Sequence, residues 1–410
     1  MKTFAAISLV AGTSIGAGVL ALPIVFAQVG VFGTVFFMLL TWGVAYFTAL
    51  VSLELNLQAG SGHALGALGK RFSGTAAQVI GSASVKMLCY ALFAAYLCGC
   101  ADVGAVIVQT CGLHIESSVM KHISALVIGA LLLTNVHVIA KFNQLLFIMV
   151  CVILLLSIVA VFPTKILNTA ALSASLGSFS VFAVLFTSFG FQVIFHTLSD
   201  CCKGDKVVLR KAFFWGTLIP LLLYFFWTAG VLLVIAESDA VFYKKMLKNA
   251  VQLSDMMTSL AQALDNSGSM GAALLRGVSS GAVFWALSLL AILTSIIGVG
   301  VGLATDWSKA LQSSGDKKSP QRACVRSVLI TVVPSWLMST YYPGLFIGFL
   351  GFAGCVLTVI ALFLPIYLLH QQRKEKNVKA YYTIVDNKAL QAISVIFGLT
   401  ILLTKIGVLC

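Results

Sequence analysis

The chain has 410 residues, of which 60% are hydrophobic and 10% charged, a balance that excludes a soluble globular domain. Alternating ten-residue strands are absent, which argues against an outer-membrane barrel. The net charge of +13 does not mark a nucleic-acid partner, because the basic residues lie mainly in short loops between apolar runs, where membrane topology accounts for them.

Eleven apolar runs come close to or exceed the ~20 residues that a spanning helix needs. They cover roughly 4–27, 31–57, 77–107, 123–140, 143–163, 178–198, 212–236, 281–305, 324–341, 344–369 and 388–408. With the N-terminus inside, 18 of the 26 Lys and Arg residues fall on the inner side and 7 on the outer side, and Lys86 falls within span three. That asymmetry places the N-terminus in the cytoplasm and the C-terminus outside. The first run lacks a clear small-x-small cleavage site and a second span follows at once, so a cleaved signal peptide is not expected. The ten cysteines are scattered without a CxxC pair, so neither a disulfide framework, a metal site nor a cofactor is expected.

The first run is wrongly filled for a plain spanning helix. Gly12-Thr13-Ser14-Ile15-Gly16-Ala17-Gly18 puts three glycines and two hydroxyls at its centre. Glycine weakens a helix and lets a backbone or ligand approach closely. Irregular backbone at membrane depth survives only within protein or beside a wet cavity, so the helix is expected to break here and form a site. Span six repeats the pattern: Thr187-Ser188-Phe189-Gly190 matches Thr13-Ser14-Ile15-Gly16 as Thr-Ser-apolar-Gly. Spans one and six open two five-helix sets that enter the membrane from opposite sides, as inverted repeats do. The expected division is residues 1–163 for the first repeat, 164–369 for the second, and 370–410 for a cytoplasmic linker and span eleven.

The breaks imply complementary roles. The second half of span one starts near Ala17 with N–H groups facing the midplane, which suits a carboxylate. The first half of span six ends near Ser188 with C=O groups, which suits an ammonium. No charged side chain occurs in either break. The pair is therefore matched to a zwitterionic amino acid.

These residues carry a resemblance. Gly12 to Pro23 on span one and Phe186-Thr187-Ser188-Phe189-Gly190-Phe191 on span six resemble signatures of the bacterial aromatic amino acid permeases. Tyr90 to Tyr96, Ala291 to Ser295, and Pro220 with Tyr224 and Trp227 are similar too. The resemblance implies an all-α polytopic membrane protein of about 11 transmembrane helices with a five-plus-five inverted repeat (LeuT-like) and broken helices 1 and 6. It also implies proton-driven import of tyrosine, tryptophan or phenylalanine across the bacterial inner membrane, with no enzymatic activity. By position, Thr13, Ser14, Ile15, Gly16, Ala17, Gly18, Tyr96, Thr187, Ser188, Phe189, Gly190 and Phe191 form the expected substrate site. Thr294 and Ser295 would face the first break, where sodium-driven relatives hold an ion. Gln192 departs from the family pattern, and a sodium symporter or a carrier of another neutral amino acid is the alternative.

Lys86 in span three is either a proton carrier or a snorkelling side chain. Glu54 and Asp102 lie near the ends of their spans. His196 and Asp200 share a helical face at the inner end of span six, and His137 reads as a packed core histidine. Residues 237–280 carry Phe242, Met246, Leu253, Met257, Leu260 and Leu264 at helical spacing, either as a helix on the outer surface or as a cap over a vestibule.

Overall fold

A computed structural model of the chain describes residues 3–110, 112–161, 179, 181–248, 251–267, 279–313, 320–374 and 380–405. Every regular element among them is helical, since a segment in hydrocarbon must close its backbone hydrogen bonds internally. The first half comprises α1 (Thr3–Ser14), α2 (Gly18–Phe26), α3 (Gly30–Ala59), α4 (Leu65–Ser73), α5 (Thr75–Thr110), α6 (Ser117–Leu132) and α7 (Val136–Val161). Next come α8 (Val181–Ser188), a 3-10 turn (Phe191–Ile194), α9 (Phe195–Cys201), α10 (Lys206–Ser238), α11 (Ala240–Leu247) and α12 (Leu253–Ser267). The last part holds α13 (Ser280–Ser313), α14 (Pro320–Tyr341), α15 (Phe346–Thr358), α16 (Leu364–Gln372) and α17 (Lys388–Lys405), with a π turn (Val359–Phe363) joining α15 to α16.

Among the described residues, eight continuous stretches are long and apolar enough to cross a membrane, and α1 with α2 makes a ninth, bent by 55°. The chain is thus an all-α polytopic membrane protein. The regions expected to hold spans four and six contain the 16-residue α6 and the interrupted α8 to α9. Large apolar side chains stay exposed around the bundle, among them Phe32 and Phe36 on α3, Leu126 on α6, Val138 on α7 and Ile396 on α17. A belt of this extent has no place in water, but it suits lipid tails, which are as apolar as leucine.

One boundary differs from the expectation. The break between spans four and five lies at Leu133–Asn135 and not at 141–142. The Asn135 carbonyl accepts from the Val138 and Ile139 N–H groups and starts α7. Lys141 therefore sits exposed within α7. A lysine near a helix end reaches the interface, whereas Thr134 and Asn135 supply genuine turn chemistry.

The two ends of the bundle are tied differently. At one end α12 buries Met256, Met257 and Leu260 completely and packs on α13, α10, α5 and α2. Its apolar face meets protein, in keeping with a cap. The Gln28 amide donates to the Leu247 carbonyl (3.2 Å) and the Tyr243 hydroxyl to the Ala27 carbonyl (3.4 Å), tying α11, which precedes this cap, to the end of α2. Burial pushes the Tyr243 phenol up, so it stays a neutral donor. At the other end Glu54 of α3, fully buried, accepts the N–H groups of Tyr381 and Tyr382 (3.0 Å each) and pairs with Arg373 (3.2 Å). Arg373 also bonds Asp386 (2.9 Å). A buried carboxylate needs this density of partners, and Glu54 thereby anchors the segment leading into α17.

Candidate functional site

The first break has local causes. The Thr13 hydroxyl donates to the Leu9 carbonyl (2.7 Å) and the Ser14 hydroxyl to the Val10 carbonyl (3.1 Å), offering the backbone alternatives to its own ladder. Helix α1 ends at Ser14, and the chain resumes in tight turns in which Val19 and Leu20 bond the Gly16 and Ala17 carbonyls (3.2 Å each). Span six breaks the same way. Phe189 and Gly190 bond back to the Phe186 and Thr187 carbonyls (3.2 and 2.9 Å). The Thr187 hydroxyl lies 2.9 Å from both the Ala183 and Leu350 carbonyls, and the Ser188 hydroxyl donates to the Val184 carbonyl (2.9 Å).

The two breaks meet. A Cβ at Gly18 would lie 2.6 Å from the Ser188 Oγ and 3.1 Å from the Ser188 Cα, so the contact requires glycine. The Tyr224 hydroxyl of α10 joins them: it lies 2.6 Å from the Ser14 carbonyl and 2.8 Å from the Ser188 carbonyl, and the residue is completely buried. The last carbonyls of α1 and α8, which helix geometry leaves without partners, thus converge on one phenol.

Helix α13 supplies the matching group for α2. The Ser295 hydroxyl accepts the Ala17 N–H (2.9 Å) and donates to the Ala291 carbonyl (2.8 Å). The Thr294 hydroxyl donates to the same carbonyl (3.0 Å). Tyr96 of α5 brings its hydroxyl beside Ser295. The Ala17 N–H is therefore not free, as the sequence implies; the Gly16 and Gly18 N–H groups are the ones without an acceptor among the described residues. Thr13, Gly16, Gly190 and Ser295 are half-buried, while Ser14, Ile15, Ala17, Thr187 and Ser188 are buried.

The aromatic candidates separate. Phe189 packs edge-on against Tyr224 (5.5 Å between ring centroids), whereas Phe191 packs on Phe195 and Phe213 (5.9 Å each). Gln192, in the 3-10 turn, is buried with neither amide atom partnered among the described residues. Such groups call for an explanation in a folded protein.

Other expected residues lie apart. Lys86 sits 4.0 Å over the Trp307 ring, a cation–π contact. It precedes Tyr96 by ten residues on α5, roughly 15 Å along the axis. Asp102, on the far side of Tyr96, accepts from Ser254 of α12. Asp200 is exposed, and the side chains of His137 and His196 lie outside the described residues. Tyr224 enters the sequence pattern only through the resemblance, which assigns it no role. Its position between two breaks on other helices has no local signal.

The chain is similar in sequence to known proteins. The sequence model of the tryptophan/tyrosine permease family matches residues 1–405. Tyrosine-specific transport system 1 of Haemophilus influenzae is 27% identical over 91% of this chain and 89% of its own length. The low affinity tryptophan permease of Escherichia coli (strain K12) is 26% identical over 99% of this chain and 95% of its own. Glutamine transporter 2 of Aliivibrio fischeri is 23% identical over 99% of both chains.

Proposed function

The chain belongs to the tryptophan/tyrosine permease family, and from that premise we propose that it imports aromatic amino acids, tyrosine foremost, across the bacterial inner membrane by proton symport. It is a permease and not an enzyme. Its relatives include a tyrosine-specific and a tryptophan system. The observation that carries the site is the convergence of both helix breaks on Tyr224.

In this reading the substrate carboxylate takes the Gly16 and Gly18 N–H groups at the positive start of α2. The ammonium takes the Ser188 carbonyl, which accepts two bonds and uses one on Tyr224. The Thr13 and Ser188 hydroxyls have spent their protons on carbonyls, so their oxygens serve only as acceptors. Tyr96 and Phe189 border the side chain. Residues 1–163 and 164–369 form two inverted repeats that rock around this point in alternating access, with eleven spans in all. The N-terminus and the Glu54 end face the cytoplasm; the α12 end and the C-terminus face the periplasm.

The test uses the purified chain in vesicles. Tyrosine uptake driven by an inward pH gradient is the expected result, competed by unlabelled tryptophan or phenylalanine more strongly than by glutamine. Uptake that follows a sodium gradient and ignores pH would move the coupling ion to the Thr294 and Ser295 hydroxyls. Stronger competition by glutamine would replace the substrate class.

Lys86→Met is expected to leave pH-driven accumulation within about twofold of wild type, since Lys86 is engaged by the Trp307 ring and stands roughly 15 Å along α5 from Tyr96. Exchange without accumulation in that variant would restore Lys86 as a proton carrier.

A further inference from the structure

We propose that Gln192 reads the far end of the substrate's side chain: its amide pairs with a hydrogen-bonding group there, the phenol hydroxyl of tyrosine, and so separates tyrosine from phenylalanine. The inference rests on the import reading and names the residue that sets preference within it.

Gln192 is 6% exposed, and neither its Oε1 nor its Nε2 has a partner among the described residues. No other amide side chain among them is buried with both atoms unpaired. Asn56 donates to the His63 carbonyl (2.6 Å) and Gln391 to the Val385 carbonyl (2.7 Å). An amide carries an acceptor and two donors, and leaving them dry and unpaired is costly unless a group from outside the chain meets them.

Its position suits a side-chain contact. Phe189 and Gly190 bond three residues back, to Phe186 and Thr187, and Phe191–Ile194 continue as the 3-10 turn. At about 2 Å per residue, Gln192 stands roughly 8 Å along the span from Ser188, whose carbonyl takes the ammonium in the proposed pose. That separation is about the length of a tyrosine from its ammonium to its hydroxyl. Phe189 and Phe191 take their rings to Tyr224 and Phe213, both on α10. Successive side chains of a 3-10 turn lie about 120° apart, so Gln192 is directed away from the Phe213 side. The turn itself packs against α1, the half-helix of the other break.

Chemistry selects the ligand. The tyrosine O–H donates to Oε1, or its oxygen accepts from Nε2. An indole N–H can also donate to Oε1. Phenylalanine offers neither and leaves the amide buried and unpaired. A site built to bond a substrate hydroxyl rejects the analogue lacking it far more strongly than an apolar pocket separates two hydrocarbons.

The test is competition against labelled tyrosine counterflow, with the purified full chain in vesicles. In wild type, phenylalanine should need a roughly tenfold higher concentration than tyrosine for half-inhibition. 4-Aminophenylalanine, which carries N–H donors at the same ring position, should fall within about threefold of tyrosine. Gln192→Met keeps the length of the side chain and removes the amide. It should bring tyrosine and phenylalanine within about twofold of each other by weakening tyrosine and not phenylalanine. Phenylalanine inhibition in that variant reports its fold, and the wild-type series needs no variant at all. Wild type that treats tyrosine and phenylalanine alike, or a Gln192→Met protein that keeps the wild-type ratio, overturns this inference and leaves the import reading standing. Vesicles that exchange no aromatic amino acid overturn both.

Discussion

Gly16→Leu abolishes tyrosine counterflow in reconstituted vesicles, by at least about 100-fold, while the chain still inserts and purifies. A Cβ at this position would lie 2.7 Å from the Ser295 Oγ. That hydroxyl can rotate, but it holds the Ala17 N–H, so displacing it uncaps the start of α2. The three further carbons of leucine then occupy the space in front of the Gly16 and Gly18 N–H groups. A loss of two good charge-assisted bonds, each ~1.5–3 kcal/mol, suffices for a 100-fold effect. Gly16→Ala brings the first clash without the bulk and should retain an intermediate activity, about tenfold below wild type. Gly298→Leu is the control on α13, because its Cβ would meet nothing within 4 Å and the residue is exposed. Counterflow in Gly16→Leu equal to that of Gly298→Leu would remove the carboxylate from this break.

The reasons the breaks were legible in the sequence are local. Glycine spacing and hydroxyls that bond four residues back act within one turn, so Gly12 to Gly18 and Thr187 to Gly190 announce themselves without knowledge of the rest of the chain. Membrane class follows from hydropathy for the same reason. What lies beyond reach is whatever depends on which helix stands opposite. The Ala17 N–H reads as free until Ser295, 278 residues away, is seen to take it. Asp102 and Glu54 both read as charges near span ends, yet one meets a serine of the cap and the other two backbone amides and an arginine. The phenylalanines of span six look alike in sequence. Only their neighbours separate Phe189, against Tyr224, from Phe186, which packs on Phe397 of α17. The boundary at Leu133–Asn135 differs from the expected one because Lys141 interrupts the apolar run in sequence, although a long side chain near a helix end can reach water.

Tyr224→Phe removes one oxygen atom and is expected to lower counterflow by roughly 10- to 100-fold and stability by about 1–3 kcal/mol. The ring stays, so its packing on Phe189 survives and no cavity of methyl size opens. The loss is confined to the hydroxyl, whose proton is shared between the Ser14 and Ser188 carbonyls. Both oxygens end a half-helix, and leaving either one buried and unpaired carries its full desolvation cost. A hydroxyl has one proton to give, so at any moment it donates fully to one break and weakly to the other. The proton can therefore shift from one break to the other. If Tyr224 serves only packing, the phenylalanine variant transports like wild type. If it joins the breaks, apparent KM rises together with the loss of rate, because the ammonium contact on the Ser188 carbonyl depends on that carbonyl being held. Phe189→Leu disturbs the ring contact and spares the hydroxyl, so it should change counterflow less than Tyr224→Phe. The reverse order would place the constraint in aromatic packing and not in the shared proton.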